Sequence, residues 1–147
     1  MTHTIRRELW FPQTLTTVWR ALTSSAALAD WMYPNDFEPR VGHRFTFRVP
    51  PKPQLENGLV VRCEVVTCVP RSELAFTWVV DGFLDTRVSY SLQADGAGTR
   101  VLFEHTGFEQ RQAFKGAEYG WTMMHGQLEK VLEQEAQERE AQEKEQR

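Results

Sequence analysis

The sequence holds little of what would narrow a function at once. Cysteine occurs only twice, at Cys63 and Cys68. These lie five positions apart in one predicted strand, so they are expected on opposite faces and unable to pair. The opening "MTHTIRRELWFPQTL" has no sustained apolar core of an export signal. Together, unpaired thiols and no leader point to a reducing, cytoplasmic compartment. No apolar run approaches the roughly 18 residues of a spanning helix, so no membrane insertion is expected.

An excess of one charge is missing too. Lys and Arg number 17 against 20 Asp and Glu, and the imbalance sits at the C-terminus. Residues 133–147 carry six Glu and three basic residues, which leaves the body of the chain formally neutral. A neutral body has no electrostatic footprint for nucleic acid, and nucleic-acid binding is not expected. There is no Gly-x-Ser-x-Gly elbow, no Walker-type phosphate loop, no HExxH and no Cys/His cluster. The pattern therefore nominates no catalytic residue, no metal site and no cofactor, and no internal repeat is visible.

What is present is one domain's worth of chain rich in aromatics. At 147 residues it can bury roughly 68–70% of its unfolded surface. Aromatics make up 12%, with 5 Trp and 9 Phe, which suits either a dense core or a ligand cavity. "TIRRELWF" reads as an end or edge strand, since Arg7 interrupts the apolar face carrying Leu9 and Phe11. Leu15, Val18, Trp19 and Leu22 form one stripe of a short helix capped by Thr14. Ser24 or Ser25 opens a second helix, with Leu28, Trp31 and Met32.

Alternating strands follow. Phe45, Phe47 and Val49 share a face, as do Val61, Cys63 and Val65, then Leu74, Phe76, Trp78 and Val80. The next sets are Thr86, Val88, Tyr90 and Leu92, then Val101, Phe103 and His105. Asp81-Gly82 signals a two-residue hairpin. Hairpin-linked alternation predicts an antiparallel sheet with one dry face.

A final helix starts somewhere in 112–118, with Trp121, Met124, His125, Leu128, Val131 and Leu132 on one wide stripe. Gly120 and Gly126 inside it cost about 1 kcal/mol each, which predicts close backbone approach there. Past residue 136 the tail is charged, with Glu135–Arg139, Glu140–Lys144 and Glu143–Arg147 spaced as i, i+4 pairs. The division is a domain over 1–132 and a charged helical tail over 133–147. One apolar stripe and one apolar sheet face must meet, giving an α+β fold. A curved sheet gripping a lone helix is expected to leave a cavity between them.

Several stretches carry a family resemblance: "FPQTLTTVWRALTSSAALADWM", "VGHRFTF", "GTRVLFEHTGF" and "GWTMMHGQLEKVL". In order and spacing they resemble the START-like, or Bet v 1-like, helix-grip superfamily. Within it they are similar to the family named after the activator of the heat-shock protein 90 ATPase. Pro12 before Val18-Trp19, Ala21-Leu22-Thr23, Trp31, Val41-Gly42, Gly98 to Phe108 and Gly120-Trp121 carry the likeness, which spans about residues 4–132. The resemblance implies a curved antiparallel sheet around a long C-terminal helix, two short helices after the first strand, and an apolar cavity. It transfers no catalytic residue, since fold alone does not give function.

The candidate ligand-binding residues are Trp31, Phe47, Trp78, Tyr90, Phe103, His105, Trp121, Met124, His125 and Leu128. They either pack a plain core or line a pocket for an apolar small molecule or lipid. His105 and His125 are read as structural histidines or as polar ligand anchors, with no third ligand for a metal. Tyr90 with His105 is the one pairing to test for acid–base work. Arg7, inward by parity, either meets an anionic headgroup or pairs with a carboxylate near Glu8. The leading expectation is non-catalytic binding of an apolar ligand. The alternatives are a cyclase- or hydrolase-type enzyme on an aromatic or polyketide-like compound, and a co-chaperone-like interaction module. The co-chaperones carry an additional N-terminal domain that 147 residues do not hold. Edge strands and tail are compatible with a homodimer that nothing in the sequence specifies.

Overall fold

Strands form where apolar and polar residues alternate, and the observed elements follow that pattern closely. The structure, a computed structural model, describes residues 2–145. β1 (His3–Phe11) leads into α1 (Leu15–Thr23) and α2 (Ser25–Trp31). Five strands follow: β2 (Arg44–Val49), β3 (Leu59–Val69), β4 (Glu73–Val80), β5 (Leu84–Asp95) and β6 (Gly98–Phe108). The chain closes with α3 (Arg111–Glu145). The strands make one six-stranded sheet in the order β1-β6-β5-β4-β3-β2, antiparallel at every step. This is the α+β helix-grip arrangement, with the sheet's inner face against α3 and the two short helices beside it.

Caps set the short helices. The Thr14 side chain accepts from the Thr17 N–H at 3.3 Å to open α1. Ser24 does double duty: it ends α1, its N–H donating to the Arg20 carbonyl, and its hydroxyl accepts from the Ala27 N–H to open α2. The indole N–H of Trp31 donates to the Ala21 carbonyl at 2.9 Å and locks the joint.

Several expectations are corrected. The β4–β5 hairpin has three loop residues, not two: the ladder closes at Val80 opposite Leu84, and the Phe83 N–H donates to the Val80 carbonyl. Gly82 supplies the positive φ of 73° that this turn needs. The parity argument for the cysteines fails at a bulge in β3. The register slips by one between Val65, opposite Phe76, and Thr67, opposite Ala75. Cys68 then pairs with inward-facing Leu74, on the same side as Cys63. Both thiols are nonetheless free, and burial holds that of Cys63 well above the usual range.

The helix also differs from its reading. It starts at Arg111, one residue ahead of the expected window. Neither Gly120 nor Gly126 marks a close approach, because a Cβ on either meets nothing within 4 Å. Gly98 is where the backbone needs glycine: a Cβ there would collide with the Phe11 carbonyl and the Trp10 indole. Among the described residues no ion pair joins Glu135 to Arg139 or Glu140 to Lys144, since these exposed ends stay solvated. The Glu143–Arg147 pair lies outside the described residues. No helix among them is long and apolar enough to cross a membrane.

Gly126 is exposed with open space around it, so it weakens the helix with no packing return. Gly126→Ala is expected to stabilise the fold by about 0.5–1 kcal/mol, read as a higher urea midpoint at unchanged slope.

Candidate functional site

The site arises from a change in side-chain size along one face of α3. Ala113, Gly116, Ala117 and Gly120 stand at i, i+3, i+4 and i+7, so this strip of the first turns is almost bare of side chain, while Phe114 beside it packs on Phe108 of β6. From Trp121 onward the same face carries Trp121, Met124, Leu128, Val131 and Leu132. Where the residues are large, the space beneath the helix is filled. The Trp121 ring centre lies 4.7 Å from that of Phe103 and 5.3 Å from that of Trp78. Where they are small, an open apolar cleft of about 840 Å³ remains.

Val49, Leu59, Val61 and Val80 form the wall of the cleft facing α3, and Trp78, His105 and Trp121 lie at its inner end. Leu55, from the loop between β2 and β3, leans into it. Phe83, Tyr119 and Met123 rim the mouth, each at least 60% exposed. Tyr33 is half-buried in the lining, and burial pushes its phenol pKa up.

The expected site residues divide along the helix. Trp78, His105, Trp121 and Met124 line the cleft. Trp31, Phe47, Tyr90, Phe103, His125 and Leu128 pack in the closed core instead. They belong to or face the part of α3 where large residues leave no room. Sequence reasoning missed Tyr33, Leu55, Gly116 and Gly120. Its signal was available in the small residues at helical spacing just before Trp121, which read more naturally as a groove than as backbone approach.

Buried polar groups tie helix to sheet. The Trp121 indole N–H donates to His105 Nδ1 at 2.8 Å, which fixes the ring proton on Nε2. That Nε2–H then donates to Thr86 Oγ1 at 2.7 Å, and the Thr86 hydroxyl donates to the Trp78 carbonyl at 2.8 Å. The Tyr90 hydroxyl lies 2.9 Å from His125 Nε2. Burial raises the phenol's pKa, so Tyr90 keeps its proton, and with His125 its one partner among the described residues the hydroxyl donates in this bond. The pairing of Tyr90 with His105 does not form: Tyr90 stands opposite Phe103, and His105 is engaged by Trp121 and Thr86.

Both imidazoles are neutral. Burial lowers the pKa of His105 to about 3. Burial first, and the Arg7 charge second, lower that of His125 to about 4. Arg7 does lie under the helix, where its guanidinium sits 3.7 Å from the Glu118 carboxylate. Its partner comes from α3, not from the neighbourhood of Glu8. Among the described residues no three His, Cys, Asp or Glu side chains are grouped to hold a metal.

A bent antiparallel sheet holding one long helix, with an apolar opening between them, defines a START-like helix-grip domain. The chain belongs to the family described as Activator of Hsp90 ATPase homolog 1-like protein, whose profile matches residues 13–133. It is similar to protein MLL2253 from Mesorhizobium loti, with 32% identity and a TM-score of 0.81 over 90% of this chain and 98% of that one. The fold is shared with CalU16 from Micromonospora echinospora, at 22% identity and TM-score 0.75 over 93% of this chain and 80% of that one. It is shared too with DynU16, a protein of the dynemicin biosynthetic locus, at 20% identity and TM-score 0.77 over 88% of this chain and 47% of that one. No curated protein sequence matches the chain.

The two histidines set a pH dependence of stability. Their folded pKa values lie below the unfolded value of about 6.5, so the unfolded chain takes up protons first. Their contribution is complete above pH 6.5 and falls on acidification by about 1.4 kcal/mol per pH unit for each histidine. Both contribute down to about pH 4, and His105 alone from there to about pH 3. Urea midpoints from pH 8 to 4.5 should drop accordingly, while native-state NMR should show both rings neutral to pH 5. Thr86→Val, which strands the His105 Nε2–H, should cost about 1–3 kcal/mol in the same measurement.

Proposed function

We propose that this protein binds an apolar small molecule in the cleft between the N-terminal half of α3 and the sheet, and holds it without transforming it. The observation that carries this reading is the cleft itself, open and predominantly apolar at about 840 Å³. Its size is within the range of about 300–1,000 Å³ common for small-molecule sites. Partly exposed Tyr33, Leu55 and Leu59 offer apolar surface to rings or acyl chains, and the flexible thioethers of Met123 and Met124 adapt to varied shapes. The family and the helix-grip fold support the same reading.

Binding is favoured over turnover by the state of the interior titratable groups. Both nitrogens of His105 are committed to Trp121 and Thr86, and the accepting nitrogen of His125 is committed to Tyr90. Neither ring is poised near neutral pH, where a general acid or base works best.

The test is to fill the cleft. Gly120 lies in the lining with open space where a Cβ would stand. Gly120→Leu should leave the helix intact by circular dichroism and weaken binding of the neutral dye N-phenyl-1-naphthylamine about tenfold, or about 1.4 kcal/mol. Fluorescence titration reads this directly. No binding to the native protein, or equal binding by the variant, rules the reading out.

A further inference from the structure

The cleft lining is graded in polarity from its inner end to its mouth. Inside, His105 and Trp121 are each 1% exposed, and their ring nitrogens are spent on each other and on Thr86. At the mouth stand the exposed side chains Lys52, Gln54, Gln110 and Gln112. Among the described residues Lys52 is the only formally charged one in the lining, in a chain that carries 20 acidic residues. Among the described residues no carboxylate lies within ion-pair distance of Lys52.

The position of Lys52 is built into its loop. Its N–H donates to the Leu55 carbonyl at 3.0 Å, and the Leu55 N–H returns a bond to the Lys52 carbonyl at 2.7 Å. Leu55 packs against the core and anchors this turn at the cleft. A lone cation is thus held where an apolar channel meets water.

Resting on the cleft reading above, we propose that the guest is an amphiphilic anion. Its hydrocarbon or aromatic body lies against Leu55, Leu59 and Met124, and its carboxylate or sulfonate head pairs with Lys52 at the mouth.

A matched pair of dyes separates the two claims: neutral N-phenyl-1-naphthylamine and its sulfonated form, 1-anilinonaphthalene-8-sulfonate. Lys52→Gln should weaken the anionic dye about threefold to fivefold, as expected for a solvent-facing ion pair, and leave the neutral dye unchanged. Lys52→Glu should weaken the anionic dye further, and high salt should erase the difference between native protein and Lys52→Gln. Gly120→Leu should weaken both dyes, which places them in the cleft. If Lys52→Gln affects both dyes equally or neither, or if the anionic dye ignores Gly120→Leu, the anion proposal is overturned while neutral binding stands. Failure of both dyes to bind the native protein overturns the cleft reading and this proposal together.

Discussion

Trp121 is the point on which the structure turns. It is the first fully buried residue of α3, at 1% exposed. On one side it packs against Phe103 and Trp78 and closes the core, while towards the helix N-terminus it ends the open cleft. Its N–H is bonded to His105 on β6, so a directional bond sets the helix against the sheet where apolar packing alone would tolerate sliding. The core from Leu128 to Leu132 and the space beneath Gly116 and Gly120 both follow from that placement.

The polar chain beneath Trp121 works because it is complete and uncharged. Trp121, His105, Thr86 and the Trp78 carbonyl form a series in which each N–H or O–H has an acceptor. A protonated His105 would have no lone pair for the indole, and its charge would sit in a low-dielectric interior. The same logic holds for His125 under the Tyr90 hydroxyl. These histidines therefore fix the alignment of helix and sheet through neutral ring nitrogens.

Most of the fold was legible because each strand keeps one face dry. Phe45, Phe47 and Val49, or Val88, Tyr90 and Leu92, alternate cleanly and are buried as their parity requires. The caps Thr14 and Ser24 were equally plain. Parity failed where the backbone inserted a residue: the bulge between Val65 and Thr67 moved Cys68 to the inner side, and no local pattern announces a bulge. The site was half legible. Trp78, His105, Trp121 and Met124 were found because large and polar residues on a core face draw notice. Ala113, Gly116, Ala117 and Gly120 were not, because a cavity is made by side chains that are short, and hydrophobic patterning records only those that are long. Leu55 sits in a Pro-rich loop without periodicity, so its contact with the cleft depends on how the loop folds back.

The exposed rim has a kinetic meaning. Phe83, Tyr119 and Met123 stand around an entrance that is already open, with no strand or helix to be displaced before a molecule enters. Exchange through such a doorway is limited by encounter and by the strength of the grip, not by breathing of the scaffold. For the guest proposed above, such a doorway favours fast exchange over long storage.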